Sequence, residues 1–134
     1  MILRTASVIV CDEILFSLTG KGFLQGVYTS DITIPSTELI VAQLVFFFSV
    51  ETAKENPFKK IILKVTPPKT PATELEVPLA TIPQIFNPNR PKMIVRVPMI
   101  IQQVVLRPGK IETKVITEGD ELDAGGIWIT STAS

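Results

Sequence analysis

The sequence predicts an all-β protein, a two-sheet antiparallel β-sandwich of about eight or nine strands. Three observations carry this reading. Apolar residues recur with a period of two and not with the 3.6-residue period of a helix. Val, Ile and Phe concentrate in short runs, where branched and aromatic side chains suit a pleated surface. The 11 prolines and 7 glycines fall mostly between those runs, where they end ladders and make turns. At 134 residues the chain has the size of one domain, so residues 1–130 are read as a single sandwich with residues 131–134 as a frayed tail.

The first strand is Ala6 to Cys11, in which Ala6, Val8 and Val10 alternate with Ser7, Ile9 and Cys11. Thr19, Gly20, Lys21 and Gly22 make a turn into a second strand, Phe23 to Thr29, with Gly26 as a bulge, and Pro35 closes the unit. A third strand, Leu39 to Val50, is rich in Val, Ile and Phe, and a fourth runs from Ile61 to Thr66. Pro67, Pro68 and Pro71 forbid a continuing ladder. Glu74 to Val77 reads as a short edge strand, and Pro83 to Pro91 as a surface loop. Met93 to Val97 and Met99 to Leu106 read as two segments parted at Pro98. After a turn at Pro108 and Gly109, Ile111, Thr113, Val115 and Thr117 alternate with Glu112, Lys114, Ile116 and Glu118, the pattern of a half-solvated antiparallel strand. Gly119 and Asp120 then turn the chain into a last strand, Glu121 to Ile129.

Composition excludes several chemistries. The sequence contains no histidine, which removes Ser-His-Asp and Cys-His catalysis, histidine-ligated zinc and histidine acid–base chemistry. The single cysteine, Cys11, cannot form an internal disulfide, which points to a reducing, cytoplasmic setting. Val10 before it and Asp12 and Glu13 after it are unlike a lipoprotein signal. The longest apolar run, Leu39 to Val50, is interrupted by Gln43 and is shorter than the roughly 20 residues of a spanning helix, so no membrane span is expected.

Residues 11–35 carry a resemblance. Cys11, Asp12 and Glu13, then Gly20 and Lys21, then Leu24, Gln25, Gly26, Val27 and Tyr28, then Asp31, Ile32 and Pro35 resemble the opening of a family of short uncharacterised bacterial proteins. The resemblance covers residues 6 to 35 and implies a cytoplasmic bacterial β-sandwich ending in a hairpin like that of Ile111 to Ile129. It implies no activity, so no catalytic or binding residue comes with it.

The candidate constellations each have a plainer reading. Asp12 and Glu13 disfavour a Cys11 thiolate, which makes the cysteine a small buried hydrophobe and not a nucleophile. Glu118, Asp120, Glu121 and Asp123 offer oxygens for calcium, but their spacing fits no calcium loop and suits a solvated turn. Asp12, Glu13 and Asp31 are the carboxylates available as an acid–base pair, with nothing to make them converge. Gly20, Lys21 and Gly22 lack the remaining residues of a phosphate loop and read as a hairpin turn.

Net charge is zero, yet residues 54–110 carry ten basic and three acidic side chains. Lys54, Lys59, Lys60 and Lys64, with Arg90, Lys92 and Arg96, could meet phosphates, but only Phe58 lies near them for stacking, which argues against nucleic acid. Trp128 shares an alternating register with Leu122, Ala124 and Gly126 and is expected in the core.

No enzyme, cofactor or metal site is therefore expected. The expected function is a binding or assembly module, whose partner is a second copy in a homodimer or another protein. The alternative is a small-molecule or ion-binding sandwich that uses its end loops. The third strand supplies the expected interface. Ile40, Ala42, Leu44, Phe46, Phe48 and Val50 form an apolar row for the core, while the opposite row still carries Leu39, Val41, Val45 and Phe47. Those four are expected to present an apolar outer face to a partner, unless residues 67–91 fold over it.

Overall fold

The computed structural model describes residues 4–79, 89 and 91–132. Ten strands lie among them: β1 (Thr5–Cys11), β2 (Glu13–Phe16), β3 (Gly22–Gln25), β4 (Ile32–Ile34), β5 (Leu39–Ala53), β6 (Ile61–Thr66), β7 (Thr73–Glu76), β8 (Lys92–Leu106), β9 (Gly109–Thr117) and β10 (Glu121–Ser131). They form a three-stranded sheet ordered β1-β5-β8, a five-stranded sheet ordered β4-β10-β9-β6-β7 and a separate β2-β3 hairpin. Every ladder is antiparallel except β4 on β10, which is parallel. Among the described residues no helix is long and apolar enough to cross a membrane.

The protein is all-β, as its periodicity predicts, with more strands than the eight or nine expected and a third, two-stranded sheet. One core lies between the two larger sheets. Val10, Leu44, Phe46, Phe48, Val50, Val95 and Met99 come from the first, and Ile61, Leu63, Val65, Ile111, Val115, Ile127 and Ile129 from the second. The alternation of β9 holds throughout, with Ile111, Thr113, Val115 and Thr117 all buried.

The long ribbon of β5 and β8 does not alternate uniformly. From Leu44 to Val50 the even-numbered residues of β5 face the core, but Ile40 is 61% exposed and Val41 packs inward instead. On β8 the inward set passes from Val95 and Met99 to Val104 and Leu106. Both strands invert at the same place. Ladder partners run Gln43↔Gln102 and then Val41↔Val104, so the pairing register is kept through the inversion. Gln103 supplies the turn of the backbone with φ 53°, a left-handed conformation that costs a side-chain-bearing residue roughly 1–2 kcal/mol. Ile40 and Ala42, expected inside, are therefore outside.

Pro98 does not divide β8. That strand is an edge of its sheet and pairs only with β5, so a residue with no N–H to give is tolerated on its free side. The ladder of β10 runs on to Ser131, which faces Ile34, and Thr132 N–H donates to the Ile34 carbonyl at 3.0 Å. The expected frayed tail is thus structured at residues 131 and 132, while most of the Pro83 to Pro91 segment lies outside the described residues.

Arg4 ties the chain start to distant segments. Its side chain is 4% exposed. It donates to Thr52 Oγ1 at 3.1 Å, Thr117 Oγ1 at 3.0 Å, the Asn56 carbonyl at 3.1 Å, the Pro57 carbonyl at 3.2 Å and the Glu118 carboxylate, and lies 4.7 Å from the Phe58 ring centroid. Burial pushes the Glu118 carboxyl up, but the Lys59 N–H, the bond and charge of Arg4 and the Lys60 N–H outweigh it and hold the group below its ordinary value. A buried cation is tolerable only with such a full set of acceptors.

Arg4→Ala is expected to lower unfolding stability by about 3 kcal/mol, because it leaves those acceptors unpaired. Urea denaturation measures this, and a loss below about 1 kcal/mol would place Arg4 among ordinary surface pairs. The folded Glu118 carboxyl titrates below the unfolded one, so its contribution is complete above the ordinary value of 4.5 and is lost as pH falls through the folded value. Glu118→Gln should flatten that acid limb of the stability curve; an unchanged limb contradicts the assignment. Thr113 Oγ1 is buried without a hydrogen-bond partner among the described residues, so Thr113→Val should raise stability by about 1 kcal/mol, and a loss of that size would reveal a partner for the hydroxyl.

Candidate functional site

The segment from Cys11 to Pro35 that carries the resemblance is built around one carboxylate. The Asp12 N–H donates to the carbonyls of Gln25 at 3.0 Å and Gly26 at 3.3 Å, and the Tyr28 N–H donates to the Val10 carbonyl at 2.9 Å. The Tyr28 hydroxyl donates to Asp12 Oδ1 at 3.0 Å. Gly26 has φ +67°, and a Cβ there would collide with the Asp12 carboxylate. Glycine is therefore required twice over, and it ends β3 at Gln25 where the sequence suggested a bulge within a strand reaching Thr29. Burial, then the bond and charge of Asp12, push the Tyr28 phenol above its ordinary value, so it stays a donor.

Beyond Gly26 the chain forms one wall of a cleft of about 390 Å³. Val8, Ile9 and Val10 of β1 form a second wall, and Gly126, Ile127 and Trp128 of β10 a third. The size falls within the roughly 300–1,000 Å³ of small-ligand sites. Trp128 is 56% exposed here, which corrects its expected place in the core. The cause is a β-bulge between Asp123 and Gly125. Leu122 packs against the core and Ala124 is buried, but after the bulge Ile127 and Ile129 point inward and Trp128 outward. Gly125 at φ +99° forms the bulge, and Gly126 lets the backbone pass so close to the Ile111 carbonyl that a Cβ would strike it. Two adjacent glycines inside a strand were the signal that could have placed Trp128. Asp31 also lines the cleft, and its carboxylate carries no hydrogen bond or ion pair among the described residues.

The four residues expected at an interface do not share one face. Leu39 is 37% exposed, Val41 packs against the core, Phe47 is half-buried and Val45 is fully buried. The inversion at residues 42–43 sends Leu39 and Val41 to the side opposite Val45 and Phe47. Val45 pairs with Cys11, and both are buried outside the main core cluster. The Gln43 side-chain amide donates to the Asp12 carbonyl at 3.1 Å, which ties the root of the hairpin to this part of β5.

The remaining constellations are engaged locally. Burial pushes the Cys11 thiol up, the nearby Glu13 backbone opposes this, and the Asp12 charge adds to it, an environment that suppresses the nucleophilic thiolate. Glu118 serves Arg4, Lys59 and Lys60; Glu121 pairs with Lys114 at 3.0 Å; Asp123 accepts from the Gly125 N–H at 2.8 Å. Among the described residues no group of three or more His, Cys, Asp or Glu could hold a metal ion. Gly20 and Lys21 form the hairpin turn, with the Ser17 N–H on the Lys21 carbonyl at 2.8 Å. The basic middle of the chain interleaves with the acidic ends, as Lys92 meets Glu51 at 3.6 Å and Arg107 meets Glu38 at 3.0 Å. No protein-family model matches the chain, and no curated protein matches it.

Gly26→Ala should cost about 1–3 kcal/mol, through backbone strain and the displaced Asp12 carboxylate. Gly20 also has a positive φ, of 85°, but with open space around it, so Gly20→Ala should cost only the conformational part, roughly 1 kcal/mol. Equal losses in denaturant titrations of the two variants would remove the role assigned to Asp12.

Proposed function

We propose that the chain is a non-enzymatic binding or assembly module, a β-sandwich of the bacterial cytoplasm that associates with a second copy of itself. The reading rests on the β2-β3 hairpin, which shares a backbone ladder with no other strand among the described residues. Ile14 faces Leu24 across the hairpin, and both are half-buried. The next pair, Leu15 and Phe23, points the other way and is exposed, as are Phe16 beside it and Leu18 at the turn. An isolated two-stranded ribbon is marginal in water, and one that shows four bulky apolar side chains gains most from a surface to lie on.

Charge supports a second copy as that surface. Between Glu13 and Asp31 the only charged residue is Lys21, so the hairpin lacks the charges that select among unlike partners, and a net charge of zero removes long-range repulsion between copies. Ile9 and Ile100, both exposed on edge strands of the three-stranded sheet, add to the apolar surface. The cytoplasmic setting is supported by the lone cysteine and by the resemblance of residues 6 to 35. The small-ligand reading is favoured by the Trp128 cleft.

Sedimentation of the wild type at micromolar concentration, beside Phe23→Glu and Leu18→Glu, tests this reading. The expected result is a wild-type dimer and folded monomeric variants, since both positions are exposed. A folded wild-type monomer rejects self-association, and a dimer untouched by either substitution rejects the hairpin.

A further inference from the structure

We propose that the cleft between β1, residues 27–31 and β10 binds an organic cation, an alkylammonium or guanidinium group, through the face of Trp128 and the carboxylate of Asp31. The lining contains aromatic and aliphatic side chains, the hydroxyl residues Tyr28, Thr29 and Ser30, one carboxylate, and no Lys or Arg. Trp128 presents its indole to solvent where the bulge of β10 turned it outward. A tryptophan face is the strongest of the aromatic attractors for a cation. Asp31 has no partner of its own among the described residues, so its charge is available. The Tyr28 phenol, also in the lining, is held by Asp12, which anchors the segment that carries Asp31.

Val8, Val10 and Val27 give the cleft an apolar lining for the stem that carries such a cation. Phosphate-bearing ligands are disfavoured by the same residues, because nothing in the lining neutralises an anion. Lys110, the ladder partner of Trp128, brings its stem beside Gly126 but is not among the lining residues. The cation can come from a partner protein's arginine or lysine side chain or from a free small molecule. The cleft chemistry is shared by both.

Trp128 is the only tryptophan, so its fluorescence reads the site directly in the unmodified protein. Titration with tetramethylammonium chloride and with N-acetylarginine amide, at constant ionic strength, should give a saturable change. The uncharged isostere 3,3-dimethylbutanol should bind at least about tenfold more weakly than tetramethylammonium, and Asp31→Asn should weaken cation binding by about tenfold while leaving the fold intact. No saturable change with either cation overturns the proposal. So does equal binding of the uncharged probe, binding of inorganic phosphate in preference to the cations, or an Asp31→Asn variant that binds unchanged. An arginine-bearing peptide that binds tighter than N-acetylarginine amide assigns the cation to a partner chain, and equal affinities assign it to a free small molecule; both support the site. Phe23→Glu, which disrupts the proposed dimer surface, should leave this titration unchanged, so the two readings fail separately.

Discussion

The core of this protein depends on a constraint that every strand obeys and two places break: a strand buries alternate side chains, and only a local inversion can change which set is inside. One inversion lies in β5 and β8 at residues 42–43 and 102–103, the other in β10 at the bulge from Asp123 to Gly125. Without the first, Ile40 and Ala42 would lie inside and Val41, Val104 and Leu106 outside. Without the second, Ile127 and Ile129 would leave the core and Trp128 would enter it. A shift of one residue flips a whole row, so these short irregularities decide the surface chemistry of both long elements.

Arg4 closes the structure at another point. Its guanidinium gathers the end of β5, the loop through Asn56 to Phe58 and the β9–β10 turn around a single charge. Buried charges of this kind are costly unless fully paired. The pairing gives Glu118 a structural role, with Asp120 beside the same guanidinium. It also accounts for part of the uneven charge along the sequence, because the acidic C-terminal segment folds onto the N-terminal arginine.

Where alternation was regular the sequence was legible. β9 matches its expected faces residue by residue, and β6 runs from Ile61 to Thr66 as expected. Alternation alone could not show that Gln103 would take a left-handed backbone, since the twin glutamines at 102 and 103 mark only a pause in the apolar run. Pro98 was misleading because its effect depends on whether a strand is central or at an edge, which is a property of the sheet and not of the strand. The interface residues Leu39, Val41, Val45 and Phe47 failed to form one face for the same reason as Ile40: the inversion lies between them. The exposed hairpin was less visible, because β2 and β3 are each only four residues long.

The cleft was hidden by its construction from three separated segments, joined by Asp12, Tyr28 and the displaced Trp128. Its aromatic wall exists only if the β10 bulge is formed, so the placement of Trp128 is the point on which the surface of this protein turns. Acrylamide quenching of native tryptophan fluorescence tests that placement directly, since Trp128 is the only emitter of its kind. A half-exposed indole predicts red-shifted emission and quenching close to that of the unfolded chain. Blue-shifted emission that resists quenching in the folded protein would put Trp128 in the core and contradict the inversion.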